Sequence, residues 1–399
     1  MKYCVVILDG ASGHPLKELG GKTCLEEAKT PCLDRLASSG KLGLASTVPE
    51  GMEPSSAAAC SSILGFDPMR YRVGRGAIEA ASIGVQMEAG DAAFRCNLVW
   101  VEDGVMRDYS AGHISTEESR RIIDRLNQEL GDDKTLFFPG VGYRHLLVLK
   151  DGTGSLEAAC TPPHDIPGRP IAPFTPRGPG ATRLLELMEK SVPVLASDPV
   201  NRERIERGLP PASMIWLFWG GRRPSQMPSF ADAYGLSAAL TSGVDLLGGL
   251  ARLFSIERLR IEGVTDGSDN DYRAQAEGAL DALSDHDLVV IHVESPDEAG
   301  HSGDAAKKIE AIGRIDEEII GRLSAYAGPM RILALPDHPT PVELRTHARE
   351  PVPFILSGPG VEPNGGTAFS EKEAGSTGLF VREGWRLMEK LVSAADEND

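Results

Sequence analysis

Six side chains able to hold metal ions lie just beyond three short apolar runs. Tyr3–Leu8 is followed by Asp9. Leu288–Val293 leads into SPDEAGHSGD, which carries Asp297 and His301. Arg331–Leu335 leads into PDHPTPVELRTH, which carries Asp337, His338 and His347. Carboxylates and imidazoles are ligands for Zn2+ or Mn2+. Singly they have plainer readings: Asp9-Gly10 as a turn, Asp297 with His301 as a helix-cap pair. Gathered at one edge they would be costly to desolvate without a counter-ion. Six ligands exceed the needs of one tetrahedral ion, so a two-metal site follows. His14, His145, His164, His286 and His292 have no companion at suggestive spacing, and His292, inside an apolar run, reads as a core residue.

A nucleophile is expected in Glu50–Gly65, EGMEPSSAAACSSILG. Pro54, two serines and an alanine run mark a helix start. Backbone N–H groups there can hold a phosphate, and a nearby metal can activate a serine hydroxyl. Ser55 and Ser56 could equally be plain N-caps.

The elements that must position these groups are a parallel sheet and its crossover helices. Tyr3–Leu8, Leu288–Val293, Arg331–Leu335 and Val352–Leu356 read as buried parallel strands. Helical patterns cover Asp271–Leu283 and Ala305–Leu323, the second apolar on one face and charged on the other. In such a sheet, ligands bind beyond the carboxyl ends of the strands. From about Ala89 to Pro228 the pattern changes, with Gly/Pro-rich breaks, one amphipathic helix at Ser115–Leu130, and proline-dense segments at 161–179 and 207–228. The second core strand is expected only after this stretch. The organisation predicted is a discontinuous core, 1–88 with 228–399, split by an inserted domain, 89–227. Asp396–Asp399 reads as a frayed acidic end.

Composition narrows the function. With 399 residues, 41% hydrophobic and 25% charged, the chain can bury two domain cores. A net charge of −17 and 6% aromatic content argue against nucleic-acid or anionic-membrane binding. No apolar stretch approaches the ~18 residues of a spanning helix, and none resembles a signal sequence. The six cysteines, Cys4, Cys24, Cys32, Cys60, Cys96 and Cys160, form no CxxC pair. They read as free thiols in a reducing cytoplasm.

With Asp9, the serine pair and the downstream motifs in hand, the chain resembles the alkaline phosphatase superfamily. More narrowly, it resembles the cofactor-independent (2,3-bisphosphoglycerate-independent) phosphoglycerate mutases of archaeal type. The resemblance spans nearly the whole chain through ILDG, SSILGFDP, GRGAIEAASIGV, FRCNLVWVEDG, GVGYRHLLV, TPPHD, HVESPDEAGHSGD, LPDHPTPVELRTH and PVPFIL. It implies an α/β fold: an alkaline-phosphatase-like core with a mainly parallel sheet and helices on both faces, interrupted by an inserted α/β cap domain. It implies two divalent ions, Mn2+ first and Zn2+, Co2+ or Mg2+ as alternatives, and no 2,3-bisphosphoglycerate. One ion would be held by Asp9, Ser56, Asp337 and His338, the other by Asp297, His301 and His347. Ser56, counted back from Ile63-Leu64-Gly65, would take up phosphate as phosphoserine. The insert would hold glycerate; arginines there suit the bidentate grip of a carboxylate or phosphate, the candidates being Arg144 and Arg223, with Arg222 equally placed beside Arg223 and Asn97 a weaker polar partner. The implied reaction is interconversion of 3-phosphoglycerate and 2-phosphoglycerate, an isomerase activity of glycolysis.

The expected partner is a small phosphorylated metabolite, and homo-oligomerisation is compatible with the sequence. Where the family usually has an acidic residue, this chain has Ala57, and where it usually has a histidine, Cys60. His113, Gly248 and Gln275 also depart from common residues. These changes bear on substrate more than on reaction type. The competing readings are a homoserine kinase-like phosphotransferase, a metal-dependent phosphomonoesterase, and a non-enzymatic metal-binding protein.

Overall fold

The computed structural model describes residues 1–224 and 226–393, so the acidic end at Asp396–Asp399 lies outside the described residues. The chain divides into two compact units, Met1–Arg72 with Pro228–Asp399, and Val73–Met227. In chain order, β1 (Lys2–Leu8) and β2 (Lys41–Ala45) belong to the first unit. β3 (Ala92–Glu102), β4 (Val105–Asp108), β5 (Thr135–Val141), β6 (Arg144–Leu149) and β7 (Met214–Gly221) belong to the second. β8 (Ala238–Thr241), β9 (Glu257–Leu259), β10 (Leu288–Val293), β11 (Met330–Leu335), β12 (Val352–Ser357) and β13 (Phe380–Val381) return to the first.

The first unit holds an eight-stranded sheet in the order β13-β2-β12-β11-β1-β10-β8-β9. β1 is central, parallel to both β10 and β11. Cys4 to Leu8 are fully buried, each large aliphatic contributing about 1.5–3 kcal/mol. Cys4, Val6 and Leu8 share one core with residues of the Pro31–Ser39, Tyr272–Ala282 and Ala305–Arg314 helices. Alternation turns Tyr3 to the other face, where its hydroxyl meets the Arg386–Ser393 helix at the Val392 carbonyl. The sheet is thus mixed but mostly parallel, with helices on both faces.

Two expectations about strands need correction. Val352–Leu356 is expected to be parallel from its unbroken apolar run, but β12 pairs antiparallel with both β11 and β2. A parallel connection needs a crossover element, and the 336–351 segment contains no helix. A core strand also precedes the second unit: β2, KLGLA, is too short and too interrupted by glycine to stand out as an apolar run.

The second unit carries a five-stranded antiparallel sheet. Ala92, Phe94, Cys96 and Leu98 pack against residues of the Thr116–Leu130 and Ala181–Ala196 helices. Ala93, with Leu146 and Val148, packs on Ala77 and Ala80 of the Arg75–Ser82 helix. This unit begins at Val73 rather than near Ala89. The reason is close backbone packing: a Cβ at Gly76 would overlap the Ala93 carbonyl. No helix among the described residues is long and apolar enough to cross a membrane.

Candidate metal centre and nucleophile

Register brings three chain segments to one level at the carboxyl edge of the first unit's sheet. Leu8 pairs with Val293 and Ile7 with Leu335, so Asp9, Glu294 and Asp337 follow their strands at the same height. Beyond β10 the chain enters the Ser295–Ser302 helix, where Asp297 and His301 fall one turn apart on one face. Beyond β11, an irregular loop carries Asp337, His338 and His347. Gly10 makes the convergence possible. Its φ is +59°, and a Cβ there would overlap the Asp297 carboxylate.

The side chains form two groups. In the first, His338 Nε2 lies 3.2 Å from Asp337 Oδ2, 3.8 Å from Asp9 Oδ1 and 3.2 Å from the Ser56 hydroxyl. In the second, His301 Nε2 lies 3.1 Å from Asp297 Oδ2 and 2.9 Å from His347 Nε2, and His347 Nε2 lies 3.7 Å from Asp297 Oδ1. The rings of His338 and His347 stack with centroids 4.0 Å apart. All seven side chains that sequence assigned to metals therefore converge here.

Two further residues join them. His292 Nε2 sits 2.7 Å from Asp9 Oδ2, and its Nδ1 sits 3.0 Å from the Ser242 hydroxyl. Glu294 Oε2 is 3.7 Å from His292 Nε2. Asp9, His292 and Glu294 are close enough to share one ion. The reading of His292 as a core residue holds: it is buried, and both ring nitrogens are satisfied, by Ser242 and by Asp9. The available signal was the HVE at the end of β10, level with Asp9 across the sheet.

The electrostatics call for cations. Burial, then Asp337, Glu294 and Asp297, push the Asp9 carboxyl well above its usual range. Burial pushes Glu294 up to about 8. Burial would also raise Asp297, but hydrogen bonds with His301 and His347 outweigh it and hold that carboxyl low. The same contact lifts His301 to about 9. Burial holds His292 down to about 4 and lowers His338. Asp9 Oδ1 is buried without a hydrogen-bond partner among the described residues. A cluster of acids and imidazoles with an orphaned carboxylate oxygen fits divalent ions.

The two serines divide their work. Ser55 is the N-cap of the Ser56–Ile63 helix and accepts from the Ala58 N–H at 3.4 Å. Ser56 is the first helical residue, with its hydroxyl at His338. One turn on, the buried Cys60 thiol donates to Asp337 Oδ2 at 3.7 Å.

The three residues expected to hold substrate lie in the second unit. Asn97 on β3 stands directly opposite Arg144 on β6. Asn97 is 2% exposed, and its Oδ1 has no partner among the described residues. Arg144 is exposed, as is Arg223 in the loop after β7.

A family model described as 2,3-bisphosphoglycerate-independent phosphoglycerate mutase matches residues 37–201. A probable 2,3-bisphosphoglycerate-independent phosphoglycerate mutase of Geobacter sulfurreducens is 45% identical, the match covering 98% of this chain and all of the relative. A 2,3-bisphosphoglycerate-independent phosphoglycerate mutase of Methanosarcina barkeri is also 45% identical, covering 95% of this chain and 96% of the relative. Among solved structures, a Pyrococcus horikoshii protein superposes with a TM-score of 0.83 at 28% identity, covering 100% of this chain and 99% of that one. A cofactor-independent phosphoglycerate mutase from Thermoplasma acidophilum superposes with a TM-score of 0.70 at 26% identity, covering 99% and 100%. With identity at this level running from end to end, this chain belongs to the 2,3-bisphosphoglycerate-independent phosphoglycerate mutase family.

Proposed function

We propose that this enzyme interconverts 3-phosphoglycerate and 2-phosphoglycerate through a phosphoserine at Ser56. The observation that carries the reading is the Ser56 hydroxyl at a helix N-terminus, 3.2 Å from His338 inside the acid–imidazole cluster. Asp9, Ser56, Asp337 and His338 would hold one divalent ion, and Asp297, His301 and His347 the other, with Mn2+ the first candidate. When bound, such ions neutralise phosphoryl oxygens and lower the pKa of a serine hydroxyl.

The chain's own groups do the rest. First-turn N–H groups of the Ser56–Ile63 helix have no intrahelical acceptors and suit a phosphate. Ser55 takes the capping role, which leaves the Ser56 hydroxyl free to attack phosphorus. His292, held by Ser242, fixes the Asp9 carboxylate. After transfer, phosphate sits on Ser56 Oγ and the glycerate carries a free hydroxyl. The glycerate turns, its other hydroxyl attacks, and Ser56 is released. We assign the holding of glycerate to the inserted unit. Support comes from Asn97, with its unpartnered oxygen, beside Arg144, whose fork suits a carboxylate. Excluding water from the phosphoserine separates a mutase from a phosphatase.

The test is phosphorus NMR of metal-loaded protein with 3-phosphoglycerate. 2-Phosphoglycerate should appear with the wild type and not with Ser56→Ala, whose fold should be intact by circular dichroism. Free phosphate as the sole product would replace the mutase reading with a hydrolase. Turnover retained in Ser56→Ala would move the nucleophile elsewhere.

A further inference from the structure

A fully buried lysine stands behind the ligand cluster. Lys308 lies in the Ala305–Arg314 helix. Its Nζ donates to the Ser12 carbonyl at 3.0 Å and to the Thr340 carbonyl at 2.7 Å. These partners are carbonyls rather than carboxylates, and burying an ammonium on such terms costs several kcal/mol. An apolar residue would fill the space more cheaply, so what the lysine joins is the informative feature.

Ser12 lies three residues beyond Asp9, and Thr340 lies two residues beyond His338. The Ser12 carbonyl also accepts the Thr340 N–H at 3.0 Å. The Thr340 hydroxyl donates to Asp297 Oδ1 and lies 3.3 Å from His338 Nδ1. The path from Lys308 through Thr340 to Asp297 thus touches three of the four segments that carry the proposed ligands: the turn after β1, the loop after β11 and the Ser295–Ser302 helix.

We propose that Lys308 and Thr340 are positioning residues that set the spacing between the two metal groups. Lys308 clamps the turn after Asp9 to the loop after His338, and Thr340 locks that loop to Asp297. The inference rests on the two-metal reading above. It has a distinctive sign. A buried positive charge repels a nearby cation, so charge alone predicts that Lys308→Met tightens metal binding. A clamp predicts the opposite, because ligands released from their supports must be reassembled at each binding event.

The test is calorimetric titration of the metal-free full chain with Mn2+, each protein held below its own melting temperature. Lys308→Met should bind Mn2+ about 10- to 100-fold more weakly, the usual effect of removing a group that orients metal ligands. Thr340→Val keeps the main-chain contacts and the volume, and it keeps the test decisive if Lys308→Met does not fold. It should weaken binding by a similar factor, through Asp297. A purely structural role would lower the melting temperature of the metal-free variants and leave the dissociation constants of the folded proteins unchanged. Unchanged or tighter binding in Thr340→Val, or in folded Lys308→Met, overturns the proposal and spares the two-metal reading. A wild type that binds no Mn2+ overturns both.

Discussion

Removing divalent ions should destabilise the first unit, and the loss should grow as pH rises. In the metal-free protein, Asp9, Glu294, Asp297 and Asp337 crowd together, and His301 and His347 offset the charge chiefly at Asp297. Burial holds the Glu294 carboxyl at about 8, against an ordinary value of 4.5. The folded value is the higher one, so the protonated group contributes stability in full below 4.5 and loses it as pH rises through 8. His301 acts in the same direction: paired with Asp297, it stabilises as the cation below 6.5, and that contribution is lost through about 9. Each pH unit within the Glu294 window is worth about 1.4 kcal/mol. Moving from about pH 6 to about pH 8 therefore removes about 2 kcal/mol after rounding near the upper value. At roughly 2–4 °C per kcal/mol, the metal-free melting temperature should fall by about 4–8 °C. Metal binding strengthens over the same range because its ligands must be deprotonated. Saturation at about 100 times Kd adds about 2.7 kcal/mol per site. The assay is calorimetric melting of EDTA-treated and Mn2+-saturated protein at three pH values across this window. The gap between the two melting temperatures should widen steadily. A constant or narrowing gap would refute the argument that protons replace the missing cations on these carboxylates.

Gly10→Ala forces a side chain into a left-handed conformation and against the Asp297 carboxylate. It should cost about 1–3 kcal/mol in strain and weaken Mn2+ binding as well. Thermal melting and titration check this, and wild-type values in both would discredit the close-approach argument. Arg144→Ala should lower kcat/KM for 3-phosphoglycerate by about tenfold or more, the scale of one lost charged hydrogen bond. Asn97→Ala should act in the same direction. Steady-state kinetics decide, and unchanged kcat/KM in both variants would remove that strand pair from the substrate site.

The centre of the sheet was readable in the sequence because buried parallel strands are unbroken apolar runs. β10 matches the expected Leu288–Val293, and β1 and β11 each begin one residue earlier than expected. Once those strands are parallel neighbours, the acids that follow them must meet at one edge. What escaped was signalled by pairing rather than by composition. β9 and β13 are three and two residues long, too short for any period to register. The direction of β12 depends on the lack of a crossover helix, not on its own residues. The Arg75–Ser82 helix looks no different from a core helix in sequence. Its allegiance to the second unit comes from Ala77 and Ala80 packing on Ala93, Leu146 and Val148 and from the close approach at Gly76, pairings that its own periodicity does not report. Glu294 and His292 were hidden for a related reason: each is one residue in a strand-end run, and only the register with β1 puts them beside Asp9.

The serine pair shows why position, more than residue type, selects a nucleophile here. A hydroxyl at the N-cap is spent on a backbone N–H, as Ser55 is. A hydroxyl one place later, at the first helical position, has no capping duty and meets His338 of the acid–imidazole cluster. Residues one turn apart share a helix face, so Cys60 faces the cluster too and contributes a thiol hydrogen bond to Asp337. Ala57, about 100° round the helix from Ser56 and about 60° from Cys60, brings no polar group at all. The departures from the family pattern therefore fall unequally. At Cys60 the thiol donates a hydrogen bond to Asp337, a candidate metal ligand. At Ala57 an acidic group is simply gone, so the charge around the nucleophile comes from the ligand cluster alone. On the proposed mechanism, Ser56 and the groups around His338 are all in place, and the departure at Ala57 would bear on substrate rather than on phosphoryl transfer.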